Sequence, residues 1–430
     1  MMKPSPRLFP ALRALVILIL AAASSLVHGM DQVAPAEVGL SAERLRRLDT
    51  VFEDYVSAGR LPGAVVLVAR HGKVAHLGTY GMSDIEQEVP LREDAIFRIA
   101  SQTKALVSVG IMMLQEEGKL LIDDDLADYL PEFAQTTVAV ANDNARYEVV
   151  PAQRKITLRD LLRHTSGYDY GNGPGRDMWR DAGMQGWYFA DREEPIRDTI
   201  ARIAPLPAAA QPGSKFVYGY NTDILGAVIE VASGQDLATF LRERILNPLG
   251  MSDTHFYLPE TKRGRLATVY SATSDGSLER APAPGHMTGQ GHYVDGPRQS
   301  FSGGAGLLST ARDYAVFLQM LANQGVHEGH RILSRKTVEL MTVNHLPEGV
   351  KFPWSDGTGF GLGFSVKLNI GAGGLPGSYG EFGWGGAYHS TYWVDPAEDL
   401  VVVYFTQVIP ASGLDDHAKL RALIYAAIDD

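Results

Sequence analysis

Ser101 and Lys104 stand three residues apart in FRIASQTKALVSVGIMMLQEEGKL, and S-x-x-K occurs once in the chain. From Ala105 onward, Leu106, Val109, Ile111, Met112 and Leu114 recur at helical spacing, so the pair heads a predicted helix. Residues three apart on a helix are neighbours on one face. A lysine amine so placed can take the proton from a serine hydroxyl, which makes the oxygen a nucleophile. A serine at a helix start also turns its own backbone N–H toward a developing oxyanion. One turn can therefore supply nucleophile, base and half an oxyanion hole, the parts of an acyl-transfer site. Helix capping would account for Ser101 alone. It leaves Lys104 unexplained, because a cation is disfavoured at the positive end of a helix.

Two further stretches offer matching parts. In KFVYGYNTDILGAVIE, Tyr218 stands before a helix, where its phenol could act as base and later as acid toward a leaving group. In GEFGWGGAYHSTYWVDP, Trp384, Gly385 and Gly386 enter a strand; substrate could lie along such an edge, and the N–H of Ala387 could be a second oxyanion donor. Taken singly, Tyr218 and Trp384 read as packed aromatics. His389 follows the oxyanion turn and could reach the pocket. His164, beside Ser166 in HTSG, reads as a structural turn, and HEGH at 327–330 as a surface turn, since its spacing and internal glycine do not suit a zinc helix.

Several chemistries drop out. The chain has no cysteine, which removes thiol catalysis, disulfides and a lipid-bearing Cys. It has no G-x-S-x-G elbow, H-E-x-x-H helix or Walker A loop. GFGLGF reads as a strand start, not a dinucleotide loop. The net charge of −11 comes with scattered basic residues, which excludes a basic nucleic-acid face.

The elements that position these residues follow from periodicity. Lys3, Arg7 and Arg13 precede the apolar run ALVILILAAASSLVHG, the layout of an export leader over 1–29 and too short for a comfortable membrane span. LSAERLRRLDTVFEDYVSAG reads as an amphipathic helix capped by Ser41, and GAVVLVARHGKVAHLGTYG as a hairpin turning at His71-Gly72. The middle of the chain is helical segments and long loops. GFGLGFSVKL, AYHSTYWVDP and DLVVVYFTQV read as strands, and DDHAKLRALIYAAI as a final helix. Strands at both ends with helices between predict an α/β (α+β) fold, its sheet domain built from 30–100 and 300–430 and its mostly helical domain from 101–299, with the site at their interface.

The order S-x-x-K, tyrosine motif, glycine-rich strand triplet resembles the serine β-lactamase and penicillin-binding-protein superfamily. The resemblance spans nearly the whole mature chain and includes LLRHTSG, NPLGMSDTHF, SGGAGLLSTARDY and WVDP, phrases typical of its class C-like branch. It implies an antiparallel sheet flanked by helices, with an inserted helical domain. Carried over, Ser101 is the nucleophile, Lys104 its base partner, Tyr218 the second proton-transfer group, and the N–H groups of Ser101 and Ala387 the oxyanion hole.

Two departures bear on substrate. Where β-lactamases have Y-x-N, this chain has Tyr218-Gly219-Tyr220, with Asn221 displaced by one position to start a helix. Where they have K-T-G, it has Trp384-Gly385-Gly386, so the cation for a β-lactam carboxylate is missing. W-G-G is similar to the family VIII carboxylesterases. The resemblance thus implies a periplasmic or secreted serine esterase acting on a small-molecule ester, without cofactor or metal, and with neither nucleic acid nor, after leader removal, a membrane as partner. Trp384, Gly385, Gly386, Tyr220 and His389 are the expected substrate contacts. Loops around 168–190 and 285–300, carrying Trp179, Trp187, Tyr188, His286, His292 and Tyr293, are expected to shape an apolar pocket. β-Lactam or D-amino-peptide hydrolysis, acyl transfer to an alcohol or amine, and a non-catalytic binding role stay open, as does the oligomeric state.

Overall fold

The computed structural model describes residues 29–142, 147–285 and 287–430. The expected leader, apart from Gly29, and His286 lie outside the described residues.

Helix α1 (Ala42–Ser57) starts where predicted, with the Ser41 hydroxyl accepting from Arg44 N–H at 3.3 Å. Strands β1 (Gly63–Arg70) and β2 (Lys73–Asp84) follow, joined by His71 and Gly72, both at positive φ. Two residues in that conformation make the turn whose twist matches an antiparallel hairpin. After the short β3 (Val89–Pro90) comes helix α2 (Thr103–Glu116). Between helices α3 (Asn221–Ser233) and α4 (Ala311–Ala322) lie shorter helical segments, a small hairpin and long loops. The chain then returns to strands β4 (Thr358–Phe360), β5 (Ser365–Lys367), β6 (Phe382–Gly386), β7 (Ser390–Asp395) and β8 (Leu400–Phe405), and closes with helix α5 (Asp416–Ala426).

These strands form one antiparallel sheet in the order β4-β5-β6-β7-β8-β1-β2-β3. Val66 pairs with Tyr404 and Leu67 with Val403, so the first long strand is zipped to the last. The unbroken apolar run of β1 has a physical reason. Ala64, Val66 and Val68 point into a core with Phe52 of α1 and Leu420 and Ile424 of α5, whereas Val65, Leu67 and Ala69 point into the core shared with α2, α3 and α4. A strand buried on both faces carries no alternation. That second core runs continuously from sheet to helical segments, so the two parts expected as domains share one interior.

Some segments differ from the pattern reading. GFGLGFSVKL is two strands, not one, because the chain turns at 361–364, with Gly363 at φ +99°. HEGH is a turn, as expected, but it closes a short two-stranded hairpin in which His327 pairs with His330 and is buried. A hairpin of Thr137–Ala141 with Tyr147–Pro151 lies within the stretch expected to be helical.

Candidate active site

Ser101 sits in a 3₁₀ turn, Ala100–Gln102, that leads into α2. The residue before it, Ala100, is fully buried at φ +42°, a conformation that costs an L-residue about 1–3 kcal/mol and persists only where neighbours impose it. They do so on three sides. Ile99 N–H donates to Leu307 O at 3.1 Å, Tyr314 of α4 donates to Gln102 O at 2.9 Å, and Gln102 Nε2 donates to the Ser390 hydroxyl of β7 at 3.0 Å. Gly386 lets β6 come this close, since a Cβ there would lie 2.6 Å from Ile99 O. Sheet and helices thus fix one serine between them. The N–H groups of Ser101 and Ala387 make no hydrogen bond among the described residues, which leaves both donors for a substrate oxygen.

Lys104 is 2% exposed. Its Nζ donates to Ser101 Oγ at 3.3 Å, to the Tyr170 hydroxyl at 3.2 Å and to Gly304 O at 2.7 Å. It also lies 4.6 Å from the centre of the Tyr218 ring. The glycine-rich SGGAG segment is what supplies the carbonyl. Gly304 N–H and the Ser302 hydroxyl both donate to Asp223 Oδ1 of α3, at 3.0 and 2.6 Å, and a Cβ at Gly304 would collide with that carboxylate. Burial pushes the Asp223 carboxyl above its usual range, opposed by the nearby Lys104 charge and by these two hydrogen bonds. The unfavourable placement of a lysine in a first helical turn is therefore offset by three acceptors, an aromatic face and a buried carboxyl group.

Tyr218 is aimed by its neighbours. Val217 N–H donates to His164 O at 2.7 Å, and the rings of His164 and Tyr218 lie 4.6 Å apart. His164 is buried at φ +56°; burial, with the Lys104 charge second, pushes its imidazole well below the ordinary range. It serves as packing beneath Tyr218, consistent with the turn reading. Ser166 does not face the cleft: it is buried and bonded to the Asn221 side chain, whose amide also reaches Val217 O at 3.1 Å. Asn221 starts α3, as expected.

A cleft of about 540 Å³ opens over these groups. Ser101, Tyr218, Trp384, Gly385, Gly386 and Ala387 all line it, as does His389. Tyr220 does not. It is fully buried, between Trp179 at 5.5 Å and Phe189 at 5.8 Å, with its hydroxyl donating toward Met184 O and Gly186 O. The turn into α3 sends consecutive aromatics to opposite sides, so the residue in the position of the family's amide is core. Of the loop aromatics expected at the pocket, Trp187 lines it, whereas Trp179 and Tyr293 are buried and Tyr188 bonds to His292 at 2.9 Å.

Tyr170 and Trp354 are among the lining residues that escaped the sequence reading, as is His417. Tyr170 shares the Lys104 ammonium with Ser101, and burial pushes its phenol well above the ordinary range. Trp354, 58% exposed, packs its ring 5.3 Å from Tyr218 and 5.7 Å from Trp384 and forms the cleft's outer wall. Tyr170 lies six residues beyond His164 in HTSGYDYG, a signal that was available; Trp354 is in a loop with no motif.

The family model described as Beta-lactamase matches residues 48–426. The chain is 32% identical over 393 residues to Esterase EstB of Burkholderia gladioli, covering 86% of this chain and 93% of that one. It is 29% identical over 398 residues to the lovastatin esterase of Penicillium rubens, covering 85% and 94%. Among solved structures, EstCE1, described as a hydrolase with promiscuous acyltransferase activity, superposes with a TM-score of 0.74 at 27% identity, covering 90% and 98%.

Proposed function

This chain belongs to the beta-lactamase family, and on that premise we propose that it is a serine esterase cleaving neutral carboxylic esters through an acyl-enzyme on Ser101. In this reading Ser101 Oγ attacks the ester carbonyl while its proton passes to the Lys104–Tyr218 pair. The N–H groups of Ser101 and Ala387 hold the oxyanion. The C–O bond to the alcohol breaks, Tyr218 returns the proton to the leaving oxygen, and water then releases the acid. Similarity to two esterases supports this reading.

The observation that carries the choice of substrate is the cleft lining. None of its described side chains is Arg, Lys, Asp or Glu, and Trp384 occupies the place of the family's lysine. A wall of Trp354, Trp384, Tyr218 and Trp187 suits a neutral, apolar acyl group and offers no lysine or arginine to a carboxylate. Turnover of a short-chain nitrophenyl ester beside a chromogenic cephalosporin tests this. A charged hydrogen bond is typically worth about 1.5–3 kcal/mol, or roughly ten- to a hundredfold in rate. The ester is expected to win by at least about a hundredfold in kcat/KM, the buried Tyr220 supplying no compensating amide. Equal efficiency would reject the reading. The apolar run at the N-terminus supports export to the periplasm or medium, to be tested by the mature protein's intact mass.

A further inference from the structure

His389 and His417 stand together on the cleft wall, their rings stacked at 4.2 Å. His389 Nε2 faces the Asp416 carboxylate at 2.9 and 3.1 Å, and His417 Nε2 faces His389 O at 3.1 Å. A carboxylate and a carbonyl only accept, so each Nε2 is the protonated nitrogen. Asp416 is itself buried and accepts from Tyr404 at 2.6 Å, which fixes it in place. His389 adopts φ +64° to reach it. Pinning the β6–β7 turn to α5 needs only the two Nε2 atoms. With both rings neutral it leaves two Nδ1 lone pairs, and neither Nδ1 is hydrogen-bonded or sealed from solvent among the described residues.

We propose that His389 and His417 form a subsite that accepts hydrogen bonds from substrate, so that the preferred esters carry a hydroxyl group, as polyol esters or hydroxy-acid esters do. The chemistry is one of contrast. Much of the remaining wall is aromatic, the Ser390 and Thr391 hydroxyls beside it already hydrogen-bond within the protein, and an apolar wall discriminates weakly for or against a hydroxyl. Acceptors held rigidly at its edge change that, because an ester without a donor leaves them unpaired in the complex. The subsite rests on the esterase reading above and refines it.

Two matched substrate pairs test it at pH 8, above the ordinary imidazole range: glycerol 1-monobutyrate against propyl butyrate, and propyl 4-hydroxybutyrate against propyl butyrate. In at least one pair the hydroxylated ester should be favoured by at least about fivefold in kcat/KM, chiefly through KM. His417→Phe keeps a ring in the stack and removes the acceptor, so the preference should shrink at least about threefold while nitrophenyl ester turnover reports that the protein is folded and active. Ester turnover with no hydroxyl preference in either pair overturns the subsite and leaves the esterase reading intact. A preference unchanged in His417→Phe also overturns it. No turnover of any ester would instead reject the underlying activity.

Discussion

Trp384 Nε1 donates to the Tyr218 hydroxyl at 3.0 Å. The indole that stands where the family's strand lysine would be therefore bonds directly to the residue proposed to transfer the proton. Tyr218 is held between a donor at its oxygen and the Lys104 ammonium at its ring face.

That bond makes Trp384 a test of two effects at once. Trp384→Lys should raise cephalosporin turnover relative to ester turnover, since a cation then faces the lactam carboxylate. Trp384→Phe should restore no lactam activity and should lower kcat for esters by about tenfold, the loss of one hydrogen bond to the reacting phenol. Steady-state kinetics of both variants on both substrates would decide it, and a Trp384→Lys ratio equal to the wild-type ratio would separate this position from substrate choice.

The two phenols at Lys104 predict unequal losses. Tyr218→Phe removes the group proposed to move the proton, and kcat should fall by about 10²–10⁴. Tyr170→Phe removes one acceptor from Lys104 but leaves Ser101 and Gly304 O, and kcat should fall by no more than about tenfold. A larger loss in Tyr170→Phe than in Tyr218→Phe would exchange their roles.

Stability should decline as pH falls below about 6.5. His164 is held neutral by burial, so its imidazole binds a proton more weakly in the folded chain than in the unfolded one. His255, pushed down to about 4 by burial and the Lys262 charge, acts in the same direction. A depressed folded value means that the unfolded state takes up the proton first, so stability is complete above about 6.5 and is lost as pH falls toward the folded value, at up to about 1.4 kcal/mol per pH unit for each fully neutral imidazole. Asp313, pushed up to about 6 by burial, has the opposite slope between about 4 and 6. A variant isolates the His164 share: His164→Asn tolerates the positive φ, and its urea midpoint should change less between pH 7 and pH 5 than that of the wild type. Parallel curves would show that His164 does not titrate on unfolding.

Much of this architecture is legible before folding. The apolar runs of β1 and β8, the His71-Gly72 turn and the Ser41 cap each follow from local chemistry, and pairing the two ends makes the sheet. Ser101, Lys104 and Tyr218 are readable because one turn of helix and one motif spacing place them. Tyr220 misleads for the opposite reason. It is two residues from Tyr218, yet the turn into α3 buries it, and only the facing rings of Trp179 and Phe189 reveal where it goes. His389 is legible from its place after the oxyanion turn, but Trp354, Gly304 and the Asp416 and His417 partners of His389 reach the site across long sequence separations, which no local pattern records.

The central claim is that Ser101 carries the acyl group. Incubating the protein with a fluorophosphonate, digesting it and mapping the adduct by mass spectrometry tests this most directly. The expected result is one modified peptide, labelled at Ser101, with labelling and ester turnover both lost in Ser101→Ala. Label on Ser166 or any other serine, or ester hydrolysis that survives in Ser101→Ala, would contradict it.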